Sequence, residues 1–92
     1  MVTAIIYHEL KDGEKWAKAH AKGGIRDQMF ARLGVDKRTF RDPANIQYGG
    51  LLLEAPDMET LMAARDDAEV KKTIVEDGVI VETFRTLIEF TP

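Results

Sequence analysis

No cysteine occurs anywhere in the chain. That excludes disulfides, thiolate nucleophiles and cysteine metal sites, and it makes the cytoplasm the expected compartment. An excess of positive charge is missing too. Thirteen Lys and Arg stand against 16 Asp and Glu, for a net charge of −3. A nucleic-acid binder needs a basic face to displace phosphate counterions, so no nucleic acid is expected as a partner. An anionic membrane surface is disfavoured for the same reason. No apolar run approaches the ~20 residues that span a bilayer. The opening residues, Met1-Val2-Thr3-Ala4-Ile5-Ile6, have no basic stretch before the apolar one and read as a strand rather than a leader. Histidine is scarce: only His8 and His20 occur, in no HxxxH or HxxE spacing. No metal is expected on that count.

What is present describes one ordinary folded domain, residues 1–92, with 45% hydrophobic and 32% charged residues. A chain of this length buries roughly 60–65% of its unfolded surface, so its core is thin. A second copy of the chain is an expected source of further burial.

Residues 2–10 alternate as a strand that is apolar on both faces, which implies cover on both sides. Lys11-Asp12-Gly13 breaks it. Residues 14–33 carry two helical stripes, Trp16/Ala19/His20 and Ile25/Met29/Leu33, which are out of phase. Gly23-Gly24 stands between them and predicts a kink, because each glycine costs ~1 kcal/mol in a helix interior. Gly34 is the expected stop. Residues 35–41 and 46–55 read as a hairpin around Asp42-Pro43-Ala44-Asn45. Asp57 is an N-cap for a second helix, which Asp66-Asp67 divides, and Gly78 ends it. Residues 79–90 read as the last strand, with Ile80, Phe84 and Ile88 toward one layer.

The order β-α-β-β-α-β predicts an α+β fold, the ferredoxin-like plait. Right-handed crossovers place strands one and three in the middle of an antiparallel four-stranded sheet. Both kinked helices then cover one face. The other face is left bare although it is apolar, and a bare apolar face implies a partner.

The segment from His8 to Trp16, HELKDGEKW, resembles the start of the first helix in the dimeric α/β-barrel superfamily. There a strand ends in a basic residue and x-V-x-D-Y-x-x-W opens the helix. The turn Arg41-Asp42-Pro43-Ala44-Asn45 and the segment Asp77-Gly78-Val79 fit as well. Gly13 departs from the pattern, where an aromatic is usual. The resemblance implies a homodimer in which two plaits close sheet to sheet into an α/β barrel. It also implies a range of activities: cofactor-independent monooxygenases, polyketide cyclases, lactone isomerases, haem-handling enzymes, stress-response proteins and ligand sensors.

Candidate chemistry centres on His8, at the end of a central strand, as a base or hydrogen-bond donor. Tyr48, on the other central strand, is its candidate catalytic partner. Tyr7 could serve a ligand pocket with an apolar ring and one polar handle. Gly49 and Gly50 in a central strand mark a bulge or a void that a ligand could fill. Trp16 and His20, as i, i+4 neighbours, could line the same void. Arg85 needs a carboxylate partner, Glu82, Glu89 or Glu54, or else an anionic ligand.

Two functions remain open at this level, and a third is disfavoured. One is a cofactor-independent enzyme acting on an apolar or aromatic acid or ketone. Another is a non-catalytic or stress-associated dimer holding an apolar ligand such as a fatty acid. The third, an RNA-binding plait, needs three stacking aromatics on its third strand, whereas IQYGGLLL has one. As a phosphate loop KAHAKGGIRD fails, since its glycines follow a helix and no Ser or Thr comes after them.

Overall fold

Alternation in the first segment becomes a central strand, β1 (Val2–Glu9), in a computed structural model that describes residues 1–92. The elements that follow are α1 (Gly13–Ala19), α2 (Ile25–Arg32), β2 (Asp36–Arg41), β3 (Tyr48–Ala55), α3 (Met58–Asp66), α4 (Ala68–Glu76) and β4 (Arg85–Ile88). The sheet order is β2-β3-β1-β4, with every neighbouring pair antiparallel. Strands one and three are therefore central, as right-handed crossovers require.

Side-chain caps set the helix starts. Asp12 accepts from the N–H groups of Glu14 and Lys15, Asp57 from Thr60, and Asp67 from Glu69 and Val70. Each cap satisfies donors that the first helical turn leaves unpaired. Asp67 also closes α3, so the second helix is divided where its two acidic residues stand. The first helix is divided at Gly23-Gly24. Gly23 takes φ +75°, and its N–H donates to Asp27 Oδ2 at 2.7 Å. That left-handed backbone suits glycine, and it ends the phase of α1 before α2 begins.

The β1–β3 register pairs Ala4 with Leu53, Ile6 with Leu51 and His8 with Gly49, and these side chains face the helices. Leu61, Ala64 and Val70 from α3 and α4, with Met29 and Phe30 from α2, close the core over them. The pairs Ile5–Leu52 and Tyr7–Gly50 face the other way, and no helix covers that side.

Among the boundaries that differ from the sequence reading, those of the last strand differ most. Val79 makes one isolated bridge to Leu10, residues Val81–Thr83 form a single 3₁₀ turn, and only Arg85–Ile88 joins the sheet. A side chain explains this. Thr83 Oγ1 accepts the Glu9 N–H at 2.9 Å and donates to the Ile80 carbonyl at 2.6 Å, replacing a stretch of backbone ladder. Residues 46–47 leave the third strand because Gln47 ties the strand-to-helix loop. Its side chain accepts from the Gly13 N–H and donates to the Lys11 carbonyl. The second strand begins at Asp36, one residue later than read.

Candidate functional site

Two concavities lie on opposite sides of the sheet. One is a cavity of about 260 Å³ between sheet and helices. The other is an open groove of about 500 Å³ on the uncovered face. Strand alternation decides which residues meet in each.

His8 closes the inner cavity at the end of β1 and is 3% exposed. Its ring stacks on Phe84, with centroids 5.8 Å apart at 12°, and meets Trp16 edge-on at 5.6 Å and 80°. Nδ1 has no hydrogen-bond partner. Burial pushes its pKa below the ordinary histidine value, and the backbone at His8 and Glu9 only partly opposes this. The ring is thus a neutral imidazole at neutral pH.

His20 sits just past the last turn of α1, one turn beyond Trp16, with the two rings 4.6 Å apart. Its Nδ1 is also buried without a partner. Its pKa is pushed down to about 3, first by burial and then by the charge of Lys37. Asp77 pulls the other way but loses, because its own charge is engaged elsewhere. Its Oδ2 lies 3.7 Å from His20 Nε2 while Arg26 grips both carboxylate oxygens, Nε–Oδ2 at 2.8 Å and Nη2–Oδ1 at 2.7 Å. Those hydrogen bonds hold the Arg26 pKa above its usual value. Lys37, on the helix face of β2, has a fully buried side chain. Its ammonium lies 2.6 Å from Asp27 Oδ1 and donates to Thr39 Oγ1 at 2.7 Å. That pairing, with the Gly23 N–H, holds the Asp27 carboxyl below the usual carboxylate range. Two cations and two anions are thus neutralised around one uncharged imidazole.

The remaining sequence candidates are distributed by register. Gly49 faces the helices but leaves no void. A Cβ there would come within 2.9 Å of the Trp16 ring, so the glycine seats the indole against the sheet. Gly50 faces the open side, where a Cβ would run into the Ile6 carbonyl. Tyr7 and Tyr48 are also on the open side, each about half exposed, and line the groove with Phe40. Tyr48 and His8 are therefore not brought together: the sheet separates them. Arg85 is on the open side as well. Its guanidinium donates to the carbonyls of Glu82 and Phe84, and the expected pairing with Glu82, Glu89 or Glu54 carboxylates is not formed.

Sequence reasoning missed Asp77, Arg26 and Lys37. A signal for the first was available, because Val70, Thr73, Ile74 and Asp77 continue one stripe at i, i+3, i+4 and i+7. For Arg26 and Lys37 there was none, since their partners lie on other elements. Nowhere do three or more His, Asp or Glu side chains gather as metal ligands.

The architecture is shared with solved structures over nearly the whole chain. An antibiotic biosynthesis monooxygenase aligns with a TM-score of 0.74 at 9% identity, covering 100% of this chain and 99% of the other. A Nitrosomonas europaea protein named as a candidate antibiotic biosynthesis monooxygenase aligns with a TM-score of 0.74 at 15% identity, covering 99% and 98%. This is the ferredoxin-like fold of the antibiotic biosynthesis monooxygenases. SnoaB, a cofactor-independent oxygenase from Streptomyces nogalater, shares it with a TM-score of 0.72 at 13% identity, covering 98% and 91%. At these identities the likeness is one of fold. The ferredoxin-like plait expected from the sequence is the fold observed. No protein-family model and no curated protein matches the chain. Within this fold, both histidines and the only tryptophan are gathered at one cavity. No helix is long and apolar enough to cross a membrane.

Proposed function

We propose that the chain is a cofactor-independent oxygenase, active as a homodimer, whose substrate occupies the cavity between sheet and helices. One observation carries the reading. His8 lines an apolar cavity as a neutral imidazole, and its Nδ1 is buried with no hydrogen-bond partner. A buried polar atom without a partner is costly, and sites that tolerate one are commonly functional. A neutral imidazole is also the form that accepts a proton at neutral pH.

The chemistry that such a base supports needs an acidic C–H or O–H, such as that of an enolisable ketone or a phenol. Proton transfer to His8 leaves an electron-rich carbanion or phenolate, which can reduce dioxygen without a cofactor. In the net reaction a CH₂ group and O₂ give C=O and H₂O, so one oxygen enters the product and the other leaves as water. His20 and Trp16 shape the cavity beside His8. A non-protein redox group is not needed for this balance. The relatives named as monooxygenases and as a cofactor-independent oxygenase support this class of reaction.

The homodimer forms in this reading through the uncovered sheet face. Ile5, Tyr7, Phe40, Tyr48 and Leu87 are each about half exposed there, around the open groove. An apolar area of this kind marks an interaction surface. Tyr7 and Tyr48 then serve the interface and the barrel interior, while proton transfer belongs to His8.

The test is oxygen uptake with a panel of enolisable aryl ketones and phenols, measured with EDTA present. The expected result is uptake that falls on the order of 100-fold or more in His8→Gln, with an unchanged circular dichroism spectrum. The acid limb of the rate profile lies below the ordinary histidine value, because burial lowers the His8 pKa. Sedimentation equilibrium at micromolar concentration should give twice the 10.4 kDa chain mass. No uptake with any compound, or full uptake by His8→Gln, sinks the enzymatic reading. A 10.4 kDa species sinks the dimer.

A further inference from the structure

The cavity has a chemically distinct mouth. Thr86 and Ile88 of β4 face the helix side and line the cavity, yet both are exposed, because no helix lies over that edge of the sheet. The opening therefore runs between β4 and the α3–α4 pair. On its helical side stand two cations, Arg65 and Lys71, both exposed. Arg65 is forked onto its neighbour Asp66 at 2.9 Å. Lys71 makes no ion pair, whereas the adjacent Lys72 is paired with Glu76.

The interior offers an anion nothing comparable. Its walls are Ile6, Leu51, Leu53, Leu61 and Ile74, and its polar end holds the two uncharged imidazoles. The only carboxylate on the lining is Asp77, which Arg26 already neutralises. A charge placed inside would lose its hydration without gaining a partner.

We propose that the cavity takes an anionic amphiphile, an apolar or aromatic body bearing one carboxylate, which enters body first and leaves the carboxylate at the mouth on Lys71, with Arg65 beside it. This deepens the functional reading above and rests on its choice of cavity. At about 260 Å³ the space is smaller than that of drug-sized ligands. The body is therefore a single ring or a chain of medium length. Entry in this direction brings the far end of the body, and not the carboxylate, to His8. It also replaces Arg85 as the anion-reading residue, since Arg85 lies across the sheet on the open face.

Trp16 is the only tryptophan and is buried against the cavity, so its native fluorescence reports occupancy without any turnover. Octanoate, 1-octanol and octylamine are the probes. Octanoate should bind about three- to tenfold more tightly than octanol at low salt, with octylamine weakest, as a partly exposed ion pair allows. The preference should shrink in 0.5 M salt. Lys71→Gln should lose about the same factor for octanoate alone, Lys71→Arg should keep it, and Arg65→Gln should lose less. Equal affinity for octanoate and octanol, or a Lys71→Gln loss common to both, overturns the proposal. The two readings fail separately. Octanoate selectivity without oxygen uptake removes the enzyme and keeps the mouth, and oxygen uptake without selectivity does the reverse.

Discussion

Acidification from pH 7 to pH 4 should lower the stability of the folded chain by about 3 kcal/mol through His20 alone. Its pKa is about 3 in the folded state and near 6.5 when exposed. Between those values the unfolded chain binds a proton that the folded chain does not. Stability therefore rises with pH across this window, and falls at about 1.4 kcal/mol per unit as pH drops below 6.5. His8, also held neutral by burial, adds to the same slope. Asp27 acts lower still: its depressed pKa contributes stability above the ordinary carboxylate range that is lost on further acidification. Urea midpoints measured at pH 7 and pH 4 check this. His20→Gln should flatten most of the slope whatever its stability at pH 7. An unchanged slope in that variant would show that His20 becomes charged in the folded protein.

Arg26→Ala should cost about 3 kcal/mol, the low end for breaking a buried pair, because the guanidinium keeps some exposure. Against a typical total of about 5–15 kcal/mol this is a large fraction. The thermal midpoint of a chain this size should fall by more than about 12 °C. The cost comes from Asp77, left charged and 7% exposed beside His20. Arg26→Ala combined with Asp77→Asn should therefore recover part of the loss, since the stranded charge is gone. The single variant should also raise the His20 pKa, which NMR of the ring protons would follow, because a repelling cation is removed and an attracting carboxylate is freed. A double variant no more stable than the single one would place the cost in lost packing of the arginine stem.

The local rules carried much of the fold. Asp12, Asp57 and Asp67 as caps, the glycine pair within the first helix, Gly34 and Gly78 as stops, and the turn at Asp42-Pro43 all act through contacts a few residues apart. Hence the element order and the two helix breaks were legible. The last strand was misread because its outcome rests on a long-range bond, Thr83 to Glu9, that no local pattern encodes.

The sequence by itself also placed His8, Trp16 and His20 as candidates for the helix-covered side, where the structure puts them. Period two places His8 with Ala4 and Ile6, and the i, i+4 spacing places Trp16 with His20. Only the tertiary structure decided the rest. Register across β1 and β3 put Gly49 under the indole and sent Tyr7, Tyr48 and Arg85 to the opposite face. The packing of α2 and α4 together brought Arg26 to Asp77 across 51 residues of chain. Charges and imidazoles at such separations meet only when the core closes. The protonation state of both histidines is therefore a property of the fold.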